Sequence, residues 1–176
     1  MVRTAFGAIA IALACAALAS GAVKTATYSS GNMSKPITDF HFTVATIHVK
    51  ARGRVKDVDA YVRLNHGFTC DLSLGLIAPN GKVDTLSEDN CSDAAANFGT
   101  GANNCHGHPT IFNDSARRLV TRGLNPYSGA YKPQQPLSTF NGSQAKGAWR
   151  LVVNDNVQED TGRLGCVKLR IKRRTR

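Results

Sequence analysis

No long segment of this chain shows helical periodicity, so a helical bundle is excluded and short strands carry the fold. No internal repeat is visible, which argues against a solenoid or propeller. Long hydrophobic runs are missing after the first 18 residues, so no later segment is expected to span a membrane. Tryptophan occurs once, at Trp149. Acidic residues are scarce: 12 Asp and Glu stand against 22 Lys and Arg, a formal net charge of +10. The basic residues are not interleaved with aromatics, which disfavours nucleic acid as a partner.

What is there begins with a targeting pattern. Arg3 precedes an apolar run from Ala5 to Leu18, and Ala17-Leu18-Ala19 before Ser20 forms an Ala-x-Ala cleavage site. The run is shorter than the roughly 20 residues a bilayer requires. Residues 1–19 are therefore expected to be a signal peptide, and the mature chain to be secreted, extracellular or periplasmic, with no membrane attachment. Ala12-Leu13-Ala14-Cys15 also loosely resembles a lipidation box, with Ala where Leu is expected.

The rest reads as one domain. Residues 20–36 are small and polar, a flexible lead. The domain is expected over 37–172, with a basic tail at 173–176. Phe40, Phe42 and Val44 alternate, then Ile47 and Val49 continue on the opposite parity, which predicts a bulge or bend. Val58, Ala60, Val62 and Leu64 predict a second strand, with Asp59, Tyr61 and Arg63 on its other face. Leu72, Leu74 and Leu76 predict a third strand, and Val83 to Leu86 a fourth after the Pro79-Asn80-Gly81 turn. Residues 88–109 read as a long loop, with short strands at Ile111-Phe112 and Leu119-Val120. Trp149, Leu151 and Val153 mark a further strand, and Leu164 to Ile171 the last. The fold class expected is all-β, an antiparallel jelly-roll-like sandwich of eight to nine strands.

Signal removal leaves Cys70, Cys91, Cys105 and Cys166, an even count that implies two disulfides. Three connectivities exist. A hairpin turning at Asn80-Gly81 pairs residues whose numbers sum to about 161, as Cys70 and Cys91 do, which favours Cys70–Cys91 and leaves Cys105–Cys166.

Four ordered segments resemble one family. They are Asp57 to Gly81; Thr110-Ile111-Phe112-Asn113-Asp114-Ser115-Ala116; Tyr131-Lys132-Pro133 through Gln134, Gln135, Pro136, Leu137, Ser138 and Thr139 to Phe140-Asn141-Gly142; and Gly147-Ala148-Trp149-Arg150-Leu151 through Asn154-Asp155 to Asp160-Thr161-Gly162. Spread over residues 38–171, they resemble the P domain, or P/Homo B domain, of proprotein convertases and related subtilisin-like serine proteases. Two positions depart from that pattern: Cys70 stands where Gly is usual, and Val167 where an aromatic is usual. The resemblance implies a jelly-roll accessory domain without a catalytic triad, whose partner is an extracellular protein such as a subtilisin-like protease.

Several side chains are candidates for chemistry. His66 and Asp71 flank the connection between the second and third strands; they are expected to hold that loop, with pH sensing as the sharper alternative. Calcium is the one cofactor considered, through the loop oxygens of Asp57, Asp59, Asn113, Asp114, Asn154, Asp155 and Asp160. Cys105-His106-Gly107-His108 offers soft-metal ligands only if Cys105 is free. No serine has the Gly-Thr-Ser-x-Ala context of subtilases; Ser115 lies in a turn-like Asn-Asp-Ser-Ala. Lys168, Arg170 and Lys172, extended by Arg173 and Arg174, make a basic last strand. It is either a charged edge that blocks strand pairing or a surface for an acidic protein or polyanion. Trp149 is expected in the core, and a glycan-binding face is the alternative if it is exposed beside Tyr61. Asn-x-Ser sequons begin at Asn32, Asn90, Asn113 and Asn141.

Overall fold

The computed structural model describes residues 21–90 and 96–175. Among the described residues, ten strands form two sheets packed face to face. The larger sheet contains β1 (Val23–Ser29), β2 (Lys35–Ile37), β4 (Arg54–His66), β7 (Thr110–Phe112), β8 (Gly129–Tyr131) and β10 (Gly162–Arg174). Its order is β1-β10-β4-β7-β8, with β2 also paired to β10. The smaller sheet contains β3 (Phe42–Val49), β5 (Leu72–Ile77), β6 (Val83–Glu88) and β9 (Gly147–Asp155), in the order β3-β9-β5-β6. Every pairing is antiparallel except β7 with β8. No described helix is long and apolar enough to cross a membrane.

Alternation builds the core. Ala45, Ile47 and Val49 of β3, Leu72, Leu74 and Leu76 of β5, and Trp149, Leu151 and Val153 of β9 are buried from one sheet. Val58, Ala60, Val62 and Leu64 of β4, and Leu169 and Ile171 of β10, meet them from the other. In β10 the buried parity changes from Leu164 to Val167, because the register with β4 slips between Leu164 and Cys166. Gly165 sits at that slip, and a Cβ there would lie 2.3 Å from the Asn103 carbonyl oxygen. Trp149 is fully buried, stacks edge-on against Phe140 at 5.2 Å, and donates its indole N–H to Ala145 O at 2.9 Å. That hydrogen bond satisfies the one polar atom that burial takes from water.

At its base the hairpin follows the register read from the turn, Ser73 with Glu88 and Leu74 with Ser87, and toward the turn it slips by one. Cys105 is bonded to Cys166. Cys70 is in a disulfide as well; Cys91, its expected partner, lies outside the described residues.

Five expectations are corrected. The polar lead is a strand: β1 pairs with β10 from Val23↔Arg174 to Ser29↔Lys168. The sandwich therefore starts before Ile37, and Arg173 and Arg174 belong to β10 rather than to a tail. The first strand carries no bulge; Phe40 and Phe42 are exposed, and β3 pairs regularly with β9 on the parity of Ile47. Leu119-Val120 is not a strand: Val120–Arg122 is a short 3-10 turn, and Leu119 bridges Lys132. Finally, β10 is an interior strand with β1 and β4 at its sides, so its basic residues block no edge. Short polar strands such as β1 form because a partner supplies their hydrogen bonds, which composition does not reveal.

Candidate functional site

The site expected between β4 and β5 is built around His66, the last residue of β4. Its imidazole is buried, and its Nε2–H donates to Asp155 Oδ2 at 2.9 Å. Its Nδ1 lies 2.8 Å from Phe68 O and 3.2 Å from the Phe68 N–H. Both ring nitrogens are therefore engaged, which leaves neither for a serine hydroxyl. Asp155, the last residue of β9, is fully buried, and its Oδ1 accepts the Val157 N–H at 3.4 Å. The pair joins the two sheets, one partner from each.

Asp71, rather than Asp155, was the expected partner of His66. Asp71 instead sits close by and is buried; its main-chain oxygen accepts the Asn156 N–H at 2.8 Å. Its carboxyl is pushed above the ordinary range, first by burial and then by the charge of Asp155, with His66 opposing and Asp160 and Asp39 adding to the push. Gly67 leaves room for the Asp160 carboxylate, whose Oδ1 lies 1.9 Å from where a Cβ would be.

The calcium candidates split between separate places. Asp155 and Asp160 lie at the His66 end. Asp59 is buried under the outer face of the larger sheet, where Asn113 Nδ2 donates to it at 2.7 Å and Arg170 pairs with it at 3.2 Å. Burial raises its carboxyl, and the Arg170 hydrogen bond pulls the other way. Asp114 holds a 3-10 turn: its two oxygens accept the Leu137 and Ser138 N–H groups at 2.9 and 2.8 Å. Asp57 is exposed opposite Lys172, and Asn154 bonds Asn156. Among the described residues no three His, Cys, Asp or Glu side chains converge to hold a metal ion. Of these oxygens, those of Asp59, Asp114 and Asp155 already pair with a cation or accept turn N–H groups. The Cys105 to His108 set keeps only two imidazoles, since Cys105 is in a disulfide.

A residue missed in the sequence organises the loop. Arg63 was placed on an outward face, yet it is buried beneath residues 97–109. Its guanidinium donates to Leu64 O at 2.6 Å and to Gly101 O at 2.6 Å, and burial lowers its pKa. Phe98 adds two main-chain bonds to Leu64, and Asn103 donates to Asn65 and to Arg163 O. Alternation alone puts Arg63 in solvent; only the disulfide from Cys105 to β10 hinted that the loop returns to this face.

The basic strand is present as expected, and its charges differ along its length. Lys168 Nζ donates to Cys105 O, Arg170 pairs with Asp59, Lys172 lies opposite Asp57, and Arg174 lies opposite Arg54. Trp149 and Tyr61 sit in different sheets, so they form no shared glycan platform. Asn32 and Asn141 are exposed, whereas Asn90 is buried and Asn113 is engaged with Asp59.

No family model matches the chain, and no curated protein matches it. Among solved structures, the serine protease of Aeromonas sobria in complex with the chaperone ORF2 superposes with a TM-score of 0.53 at 15% identity. The match covers 88% of this chain and 28% of that one. The same protease solved by itself gives a TM-score of 0.51 at 15% identity, over 86% of this chain and 27% of that one. The chain thus spans little more than a quarter of the serine protease it resembles, and the likeness is one of fold.

Proposed function

We propose that this chain is a P/Homo B-type accessory domain: a non-catalytic, secreted module that binds and stabilises a subtilisin-like serine protease. The observation that carries this reading is the fold match to about a quarter of a serine protease, joined to the four ordered motifs of the sequence. The engaged nitrogens of His66 support a structural role for the only buried histidine among the described residues. A resemblance of fold is an associational warrant for a role, so the test is direct. The mature chain is used to capture partners from the native secretome, with calcium and with chelator, and bound proteins are identified by mass spectrometry. A subtilisin-like protease is expected, and its half-life on heating should lengthen when the chain is added back. Failure to recover any such protease overturns the reading, as does labelling of the chain itself by a serine-reactive fluorophosphonate.

A second reading, an extracellular glycan-binding module, keeps one observation in its favour. On the outer face of the smaller sheet, Phe42 is 71% exposed beside a groove lined by Ser73, Asn154 and Asn156. An open aromatic next to amide and hydroxyl groups suits sugar stacking. Retention on a neutral glycan array that Phe42→Ala abolishes would favour it over the protease partner.

A further inference from the structure

The larger sheet ends in a cleft of about 700 Å³ lined by Arg52, Arg54, Gln144, Lys146, Arg174 and Thr175. Four of these are cations, and the described lining includes no carboxylate. Neither of the two ion pairs among the described residues involves any of the four.

The walls of the cleft are fixed. Gly142 N–H donates to Val55 O at 2.8 Å, Val55 N–H to Ser143 O at 2.9 Å, and Ala145 N–H to Gly53 O at 2.9 Å. These bonds tie residues 142–146 to the start of β4, and Arg54 Nη1 reaches Gly142 O at 3.1 Å. Gly53 has φ +135°, and a Cβ there would lie 2.6 Å from Arg174 O, so only glycine lets the start of β4 meet the end of β10 this closely. Behind the wall, Arg173 Nε donates to Arg52 O at 3.1 Å, while its buried Nη1 has no hydrogen-bond partner.

We propose that this cleft binds a compact polyanion carrying two or more sulfate or phosphate esters. Three guanidinium groups offer planar pairs of N–H donors that match the oxygens of a tetrahedral oxyanion, and Lys146 adds a point charge. The volume is that of a small-ligand pocket rather than of a single ion. A long polymer fits less well. Beyond the cleft, alternate residues of β10 continue the basic row at intervals of about 7 Å, but Lys172 faces Asp57 and Arg170 is paired with Asp59. The four cations of the cleft, by contrast, face no carboxylate in the described lining. This inference does not depend on the protease reading.

The test is calorimetric titration of the mature chain with sucrose octasulfate, inositol hexakisphosphate and citrate at low salt. One variant carries Arg54→Glu with Lys146→Glu; a control carries Arg117→Glu with Arg150→Glu, exposed sites outside the cleft with the same change in net charge. At least one of the two esters should bind, with affinity falling more than tenfold in the cleft variant and less than threefold in the control. A milder pair, Arg54→Gln with Lys146→Gln, should show an intermediate loss and guards against misfolding of the first variant. The preferred ester separates a sulfated from a phosphorylated ligand. The proposal is overturned if neither ester binds, if citrate binds as tightly as both, or if the control loses as much affinity as the cleft variant.

Discussion

The strands β4 and β10 lie side by side for about 40 Å, and their two ends treat charge in opposite ways. At one end Gly162 pairs with His66, and charge is buried: His66 bonds Asp155 from the other sheet, and Arg63 lies under the loop. At the other end Arg174 pairs with Arg54, and four cations stand in the open with no acid among the described lining. Buried charge must be matched in place, because leaving one partner unpaired costs far more than the pair gains. Exposed like charges repel only on the order of 1 kcal/mol at 4 Å in water, and salt weakens this. The first end therefore constrains the fold, whereas the second can be spent on a ligand.

Breaking the covalent tie at the buried end should have the largest effect. Cys105→Ser with Cys166→Ser opens a loop of 61 residues, and chain entropy predicts a loss of about 4 kcal/mol. Urea melts measure it; an unchanged midpoint would mean that the Arg63 hydrogen bonds hold the loop unaided. Next comes Asp155→Ala, which leaves His66 buried without its acceptor and should cost about 3 kcal/mol. The matched change at the open end, Arg54→Gln with Lys146→Gln, should shift stability by no more than about 0.5 kcal/mol. Equal losses at the two ends would erase the contrast. Gly53→Ala probes the backbone rather than the charge of the open end. The strained φ and the contact with Arg174 O should cost about 2 kcal/mol.

Asp84 is an intermediate case between the two ends. Asp84 of β6 is buried, and its Oδ2 has no hydrogen-bond partner. Burial, the larger cause, raises its pKa above 3.8, and a Thr139 hydrogen bond partly opposes it. A raised carboxyl binds its proton more tightly in the folded state. Its contribution to stability is thus greatest at low pH and is lost as pH rises through the folded pKa. Asp84→Asn removes that loss and should stabilise the protein by about 1 kcal/mol at pH 7.5. At a pH below 3.8 the two melts should nearly coincide. A benefit that persists undiminished in acid would refute the charge argument.

Much of the fold was legible because alternation is a direct record of burial. Leu72 to Leu76, Trp149 to Val153 and Val58 to Leu64 face inward as their spacing predicts. The hairpin register followed from the turn, and the Cys105–Cys166 bond from elimination. What failed was whatever depends on a distant partner. Val23–Ser29 has no apolar alternation of its own and becomes a strand by pairing with β10. His66 and Asp155 are 89 residues apart, and each was seen in the sequence without the other. Arg63 was misplaced because a strand pattern says which face a residue is on, not whether a loop will cover that face. The basic cleft joins three separated segments, of which only Arg174 belonged to the noticed charge run.

The central position of β10 sets an order of events. Strands β1, β2 and β4 all take hydrogen bonds from it, and Val23 waits for Arg174. As the chain leaves the ribosome, the larger sheet stays open until residues 162–174 have cleared the exit tunnel. Non-local pairing of this kind is slow even then. The strand that closes the sheet is thus the last of its strands to be made, and the others wait unpaired on that side until it arrives.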